Sequence, residues 1–177
     1  MKSIKIIIGF AIIGVLIITS CKLPDSIGTA DVNRNLKSTI SLNALSPLQN
    51  FDTMYQINIK ELNSDIVAKI GSRGTLIDLN FIKVNLTIAD SIKYTFNDFS
   101  QFDLILGLDT LDGLPINSSG KSLVFELPNW LSNYNYKSQY EKNIPIDLKC
   151  VGKALNLIDT IKIQASYTFR IKGDVKL

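Results

Sequence analysis

The run Thr160-Ile-Lys-Ile-Gln-Ala-Ser-Tyr-Thr-Phe-Arg-Ile-Lys172 alternates without a break. Ile161, Ile163, Ala165, Tyr167, Phe169 and Ile171 fall on one side, and Thr160, Lys162, Gln164, Ser166, Thr168, Arg170 and Lys172 on the other. Successive side chains of a strand point to opposite faces, so this segment buries one face and wets the other, as strands of antiparallel sheets do.

The same period marks six further strands: Ser38 to Leu42, Thr53 to Lys60, Thr75 to Ala89, Phe102 to Leu108, Leu123 to Leu127 and Asn143 to Val151. Within Thr75 to Ala89 the phase changes, from Ile77, Leu79 and Phe81 to Ile82, Val84, Leu86 and Ile88. Either a bulge near Phe81 and Ile82 keeps both sets on the core side, or the strand leaves one sheet for the other. Pro145 has no N–H to donate, so it places Asn143 to Val151 at a sheet edge or starts that strand. Two stretches read as helical. In Asn63 to Gly71, Ile66, Val67 and Ile70 share a helical spacing, with Ser64 as the amino-terminal cap and Gly71 as the stop. Trp130, Leu131 and Tyr134 give one further turn. About seven strands with one or two short helices predict a mainly β chain, folded as a two-layer antiparallel sandwich.

The first residues have a different character. Lys2 and Lys5 precede an apolar stretch from Ile6 to Ile18, followed by Thr19, Ser20 and Cys21. This is the order of a secretory signal, and the apolar core is short of the ~20 residues a membrane span requires. Ile18-Thr19-Ser20-Cys21 resembles the lipobox of bacterial lipoproteins, a resemblance confined to residues 1–21. It implies a diacylglyceryl group on the Cys21 sulfur, cleavage before that residue, and a membrane partner reached through lipid. Two or three acyl chains hold a protein far longer than one. It further implies a cell-envelope protein, with Lys22 after the cysteine favouring the outer membrane on its periplasmic side and surface exposure as the alternative. The expected organisation is a signal over residues 1–20, the lipidated cysteine with a flexible tether over 21–35, and a sandwich over 36–177. About 157 residues remain after cleavage, enough for one domain with a sizeable core.

Composition excludes more than it assigns. The chain contains no histidine, which removes Ser-His-Asp and Cys-His catalysis and histidine-bound zinc or haem. With Cys21 lipidated, Cys150 is alone, so no disulfide forms within the domain. Cys150 alternates with Ile144, Ile146 and Leu148 and reads as a buried structural thiol. Net charge is +3 for the whole chain and falls close to +1 once Lys2 and Lys5 leave. No basic patch points to nucleic acid, and no cofactor is expected.

Two groups of side chains remain as candidates. Asp109, Asp112 and Asn117 could hold calcium through oxygen ligands, although Asp-Gly and Asn-Ser segments are ordinary turn chemistry. Trp130, Tyr134, Tyr136 and Tyr140, interleaved with asparagine and lysine, could form a surface for an envelope protein or glycan, because flat rings with a polar edge suit such recognition. The alternative is that Trp130 and Tyr134 pack a short helix onto the sandwich. The expected function is a lipid-anchored, non-enzymatic binding or structural module. A carrier of a small apolar ligand between the sheets is the alternative, and a carboxylate-based glycan hydrolase the third reading.

Overall fold

The computed structural model describes residues 28–89, 93–112, 114–115 and 120–176. The signal-like segment, Cys21, the first residues of the expected tether and Asn117 lie outside them. Nine strands are formed: β1 (Gly28–Leu42), β2 (Asn50–Ile57), β3 (Thr75–Ile88), β4 (Phe99–Leu106), β5 (Asp109–Asp112), β6 (Leu114–Pro115), β7 (Ser122–Glu126), β8 (Ile146–Ala154) and β9 (Ile161–Val175). They make two wholly antiparallel sheets, of order β1-β9-β3-β7-β6 and β2-β8-β4-β5. The chain is therefore a mainly β, two-layer sandwich, with all seven expected strands present and β5 and β6 added. Among the described residues, three short α-helices form rather than one or two, α1 (Asn63–Ile70), α2 (Asn129–Ser132) and α3 (Lys137–Glu141), beside 3-10 turns at Ile59–Leu62 and Phe96–Asp98. Among the described residues, no helix is long and apolar enough to cross a membrane.

The alternating run becomes β9, second in its sheet and flanked on both sides by the long strands β1 and β3. Ile161, Ile163, Ala165, Tyr167, Phe169 and Ile171 are all at most 2% exposed. Phe169 stacks on Phe81 of β3 at 4.8 Å between ring centres. At the opposite end of the core, Phe51, Phe99 and Phe102 contact one another edge-on or tilted, with centres 5.4–5.6 Å apart. Gly152 in β8 makes room for this cluster. A Cβ there would lie 2.3 Å from the Gln101 carbonyl oxygen and 2.6 Å from the Phe51 ring.

The phase change in β3 is a bulge. Pairing with β9 slips between Phe81 and Lys83, and Leu79, Phe81, Val84, Leu86 and Ile88 are all buried on the core side. β3 stays in one sheet throughout. A second slip, between Leu76 and Asp78, was not anticipated. Pro145 does start a strand, but β8 is central, between β2 and β4; the missing N–H sits just ahead of the ladder, where no bond is lost.

The tether boundary is corrected. Residues 28–35 belong to β1, whose pairing with β9 runs unbroken from Gly28 opposite Val175 to Leu42 opposite Ile161. Asp31, Asn33 and Asn35, which resemble turn formers, are the exposed row of this strand, and Ala30, Val32, Arg34 and Leu36 the half-buried one. Arg34 interrupts the apolar row and is answered by Asp65 of α1 at 3.6 Å. The cap of α1 is corrected too. The helix starts at Asn63, so Ser64 lies within its first turn and no side chain caps it. Gly71 does end it, at φ 79° and with its N–H bonded to the Val67 carbonyl at 2.9 Å. Ile66 and Ile70 are buried, whereas Val67 is 41% exposed.

Candidate functional site

The four aromatic residues do not form one surface. Trp130 is 60% and Tyr134 50% exposed, but Tyr136 and Tyr140 are buried. In a helix, adjacent residues point about 100° apart, so the single turn of α2 sends Leu131 into the core and Trp130 out. Tyr136 stands edge-on to Phe81 at 6.4 Å, and its N–H bonds the Leu79 carbonyl at 2.7 Å. Burial pushes its phenol up to about 12, with a smaller contribution from Tyr134. The Tyr140 hydroxyl donates to Asn63 at 2.7 Å, beneath the Lys60 ammonium 4.2 Å from its ring centre. Tyr140 lies behind this surface, while Tyr136, though mostly buried, still lines it edge-on to Tyr134 at 4.7 Å.

What the exposed pair forms is a groove of about 440 Å³. One wall is the β4–β5 hairpin, with Leu106, Gly107 and Asp109; the other is α2, Tyr134 and Gln139 of α3; the floor runs from Ile144 to Asp147. The hairpin turns in two residues, Gly107 and Leu108, with Gly107 at φ 66°, a conformation that glycine adopts without a Cβ clash. Asn143, at φ 56°, reverses the chain after α3 so that Ile144 can bond back to the Gln139 carbonyl at 2.8 Å.

The groove wall is held by a residue the sequence did not single out. Asn135 accepts from the backbone N–H of Leu79 at 3.1 Å and of Lys137 at 3.0 Å, and donates to the Ile77 carbonyl at 3.1 Å and the Asp78 carboxylate. Ile77 and Leu79 lie on β3 beyond its pairing with β7, which ends at Lys83 opposite Glu126, so on that side their main-chain groups have no strand to meet. Asn80 adds a bond from its amide to the Tyr134 carbonyl at 3.1 Å. The segment carrying both tyrosines is thereby fastened to the open stretch of β3, which no pattern in the sequence announces.

The lining is mostly apolar, and its charged groups are the carboxylates of Asp109 and Asp147. The Gln139 amide nitrogen donates to the Tyr134 hydroxyl at 3.1 Å, leaving that O–H free to donate elsewhere. The other amide atom of Gln139, Oε1, is buried without a partner among the described residues. Asp109 is half-buried, and Asp147 accepts from Gln56 at 3.1 Å with one oxygen. No lysine or arginine lines the groove. It therefore presents an apolar ring face beside two carboxylates.

The acidic loop read as a calcium candidate is otherwise arranged. Asp109 to Asp112 is strand β5, paired with β4 from Leu106 opposite Asp109 to Asp103 opposite Asp112, and the turn falls earlier, at Gly107 and Leu108. The two aspartates thus stand at opposite ends of a strand, with Cα atoms about 10 Å apart. Among the described residues, no three His, Cys, Asp or Glu side chains are grouped to hold a metal. Cys150 is fully buried and free, and burial pushes its thiol up to about 12, far from the thiolate a nucleophile needs.

No family model and no curated protein matches the sequence. Among solved structures, the decameric BFDV capsid protein is similar with a TM-score of 0.43 and 6% identity, over 82% of this chain and 98% of that one. A likeness at that level carries nothing about function.

Proposed function

We propose that this protein is a lipid-anchored module of a bacterial cell envelope that binds glycan through the Trp130–Tyr134 groove, without catalysing its turnover. The observation that carries the reading is the exposed Trp130 ring on a groove whose charged lining groups, Asp109 and Asp147, are hydrogen-bond acceptors. Sugars offer an apolar C–H face to a ring and many hydroxyl donors to such groups. The residues from Lys2 to Cys21 support the anchor, through their resemblance to a lipoprotein signal. The carrier alternative would need apolar space between the sheets, where Phe81, Phe125, Tyr167 and Phe169 are packed with at most 1% exposure.

The exposed 60% of Trp130 is about 150 Å² of a ~250 Å² side chain, and one ring face is about half of that. Covering it contributes ~2 kcal/mol, or roughly thirtyfold in affinity. Calorimetric titration of the full chain with neutral oligosaccharides should therefore find binding that Trp130→Ala weakens by about that factor. No binding by the unaltered protein, or equal binding by the variant, would sink the groove assignment. For the anchor, Cys21→Ser should move the protein from the membrane to the soluble fraction; continued membrane attachment would refute it.

A further inference from the structure

The free edge of β1 is complementary to itself about Arg34. From Thr29 to Thr39 the strand runs Thr-Ala-Asp-Val-Asn-Arg-Asn-Leu-Lys-Ser-Thr. About Arg34, Asn33 mirrors Asn35, Val32 mirrors Leu36, Asp31 mirrors Lys37, Ala30 mirrors Ser38, and Thr29 mirrors Thr39. β1 is an outermost strand fifteen residues long, about 50 Å of edge. It has no proline, and its pairing with β9 shows no bulge. Natural edge strands of such length and regularity are usually interrupted, because an open row of N–H and C=O groups recruits another strand. Among the described residues, no main chain outside β9 bonds to β1; besides β9, the Asn33 carbonyl accepts from its neighbour Arg34's side chain at 2.8 Å and the Ser41 carbonyl from the Tyr55 hydroxyl.

We propose that this edge is the self-association surface of the protein: two copies pair β1 against β1 antiparallel about a two-fold axis at Arg34, joining their five-stranded sheets into one. Antiparallel pairing with the exposed row continuous across the axis allows registers that step by two residues. Only the register centred on Arg34 sets Asp31 of each copy opposite Lys37 of the other. Both side chains are exposed, and neither makes an ion pair among the described residues. The same register opposes asparagine to asparagine and threonine to threonine on that face, and Val32 to Leu36 on the other. Cross-strand pairs of these kinds each add to sheet stability. The one like-charge meeting, Arg34 with Arg34, is compensated by each copy's own Asp65 at 3.6 Å.

The test is sedimentation equilibrium of the full chain in detergent micelles, with circular dichroism confirming the fold of each variant. The unaltered chain should be a dimer, Asp31→Lys should weaken it about tenfold or more by turning two attractions into two repulsions, and adding Lys37→Asp should restore it. Opposed strand residues have Cα atoms ~4.5–5.5 Å apart, within disulfide range. Arg34→Cys, on the axis, should then form a reducible covalent dimer, while Ser41→Cys should not. A monomer at every concentration, as expected if a strand of a different protein occupies the edge, would overturn the proposal. So would a dimer indifferent to Asp31→Lys, or cross-linking at Ser41→Cys instead.

Discussion

Asn135→Ala tests the claim that one exposed amide fastens the groove wall to β3. The side chain makes four hydrogen bonds, three of them to main-chain groups, and the one to the Leu79 N–H is partly buried. A typical bond contributes ~0.5–1.5 kcal/mol net, while a donor left unmet in a buried place costs ~1–3 kcal/mol. Water can reach the Asp78 carboxylate and the Lys137 N–H after the change, so their loss counts little. The Leu79 donor and the Ile77 acceptor dominate, for a total of about 2–3 kcal/mol. In a domain of this size that lowers Tm by ~6–9 °C. Urea unfolding is the assay: the midpoint should fall with the slope unchanged, since the exposed surface on unfolding is the same. Asn133→Ala is the control, being a nearby exposed asparagine whose side chain makes no such bonds, and it should stay within ~0.5 kcal/mol of the parent. A change of under ~0.5 kcal/mol in Asn135→Ala would refute the fastening role, and oligosaccharide binding retained in a destabilised variant would separate it from the groove.

Two further outcomes follow from the core. Gly152→Ala should destabilise by ~3 kcal/mol or more by overpacking, because its Cβ meets a backbone oxygen that cannot turn aside; a urea midpoint equal to the parent's would show that β8 and β4 can part at no cost. Tyr136 has its ionisation raised to about 12 by burial, so its contribution to stability is complete below the unfolded phenol's pKa of ~10 and is lost as pH climbs from there toward 12. Tyr136→Phe should therefore flatten the decline of the urea midpoint with alkali; parallel declines would mean that Tyr136 ionises freely in the folded state.

How much of this was legible depends on whether a segment had one environment or two. β9 has a dry and a wet face along its whole length, and its alternation states as much. The bulge at Phe81 was legible for the same reason, since the phase changed while both halves stayed apolar. β1 was only partly legible: Arg34 interrupts the inward row, and its compensation by Asp65 lies about thirty residues away. Turn residues misled at Asp109 to Asp112, where Asp-Gly chemistry concealed a strand and the actual reversal used Gly107. The aromatic cluster is recognisable by type, but a one-turn helix has too little period to declare its faces, so buried Tyr140 reads like Trp130, Tyr134 and Tyr136, which line the groove. Asn135 could not be found from sequence because its partners include main-chain groups of β3 left open where β7 ends, a boundary that alternation does not mark.

The placing of β9 between β1 and β3 also sets the order in which the molecule can assemble. Partners across the β1–β9 ladder, such as Ser38 and Tyr167 or Asn35 and Thr168, are 129 and 133 residues apart in the chain. Closing loops of that length is entropically costly and slow, and neither β1 nor the β3 face beside it has a substitute strand. While the chain emerges from a ribosome, β1 must therefore wait for nearly all of the described sequence to follow, and its ladder stays open to capture by chaperones until β9 arrives.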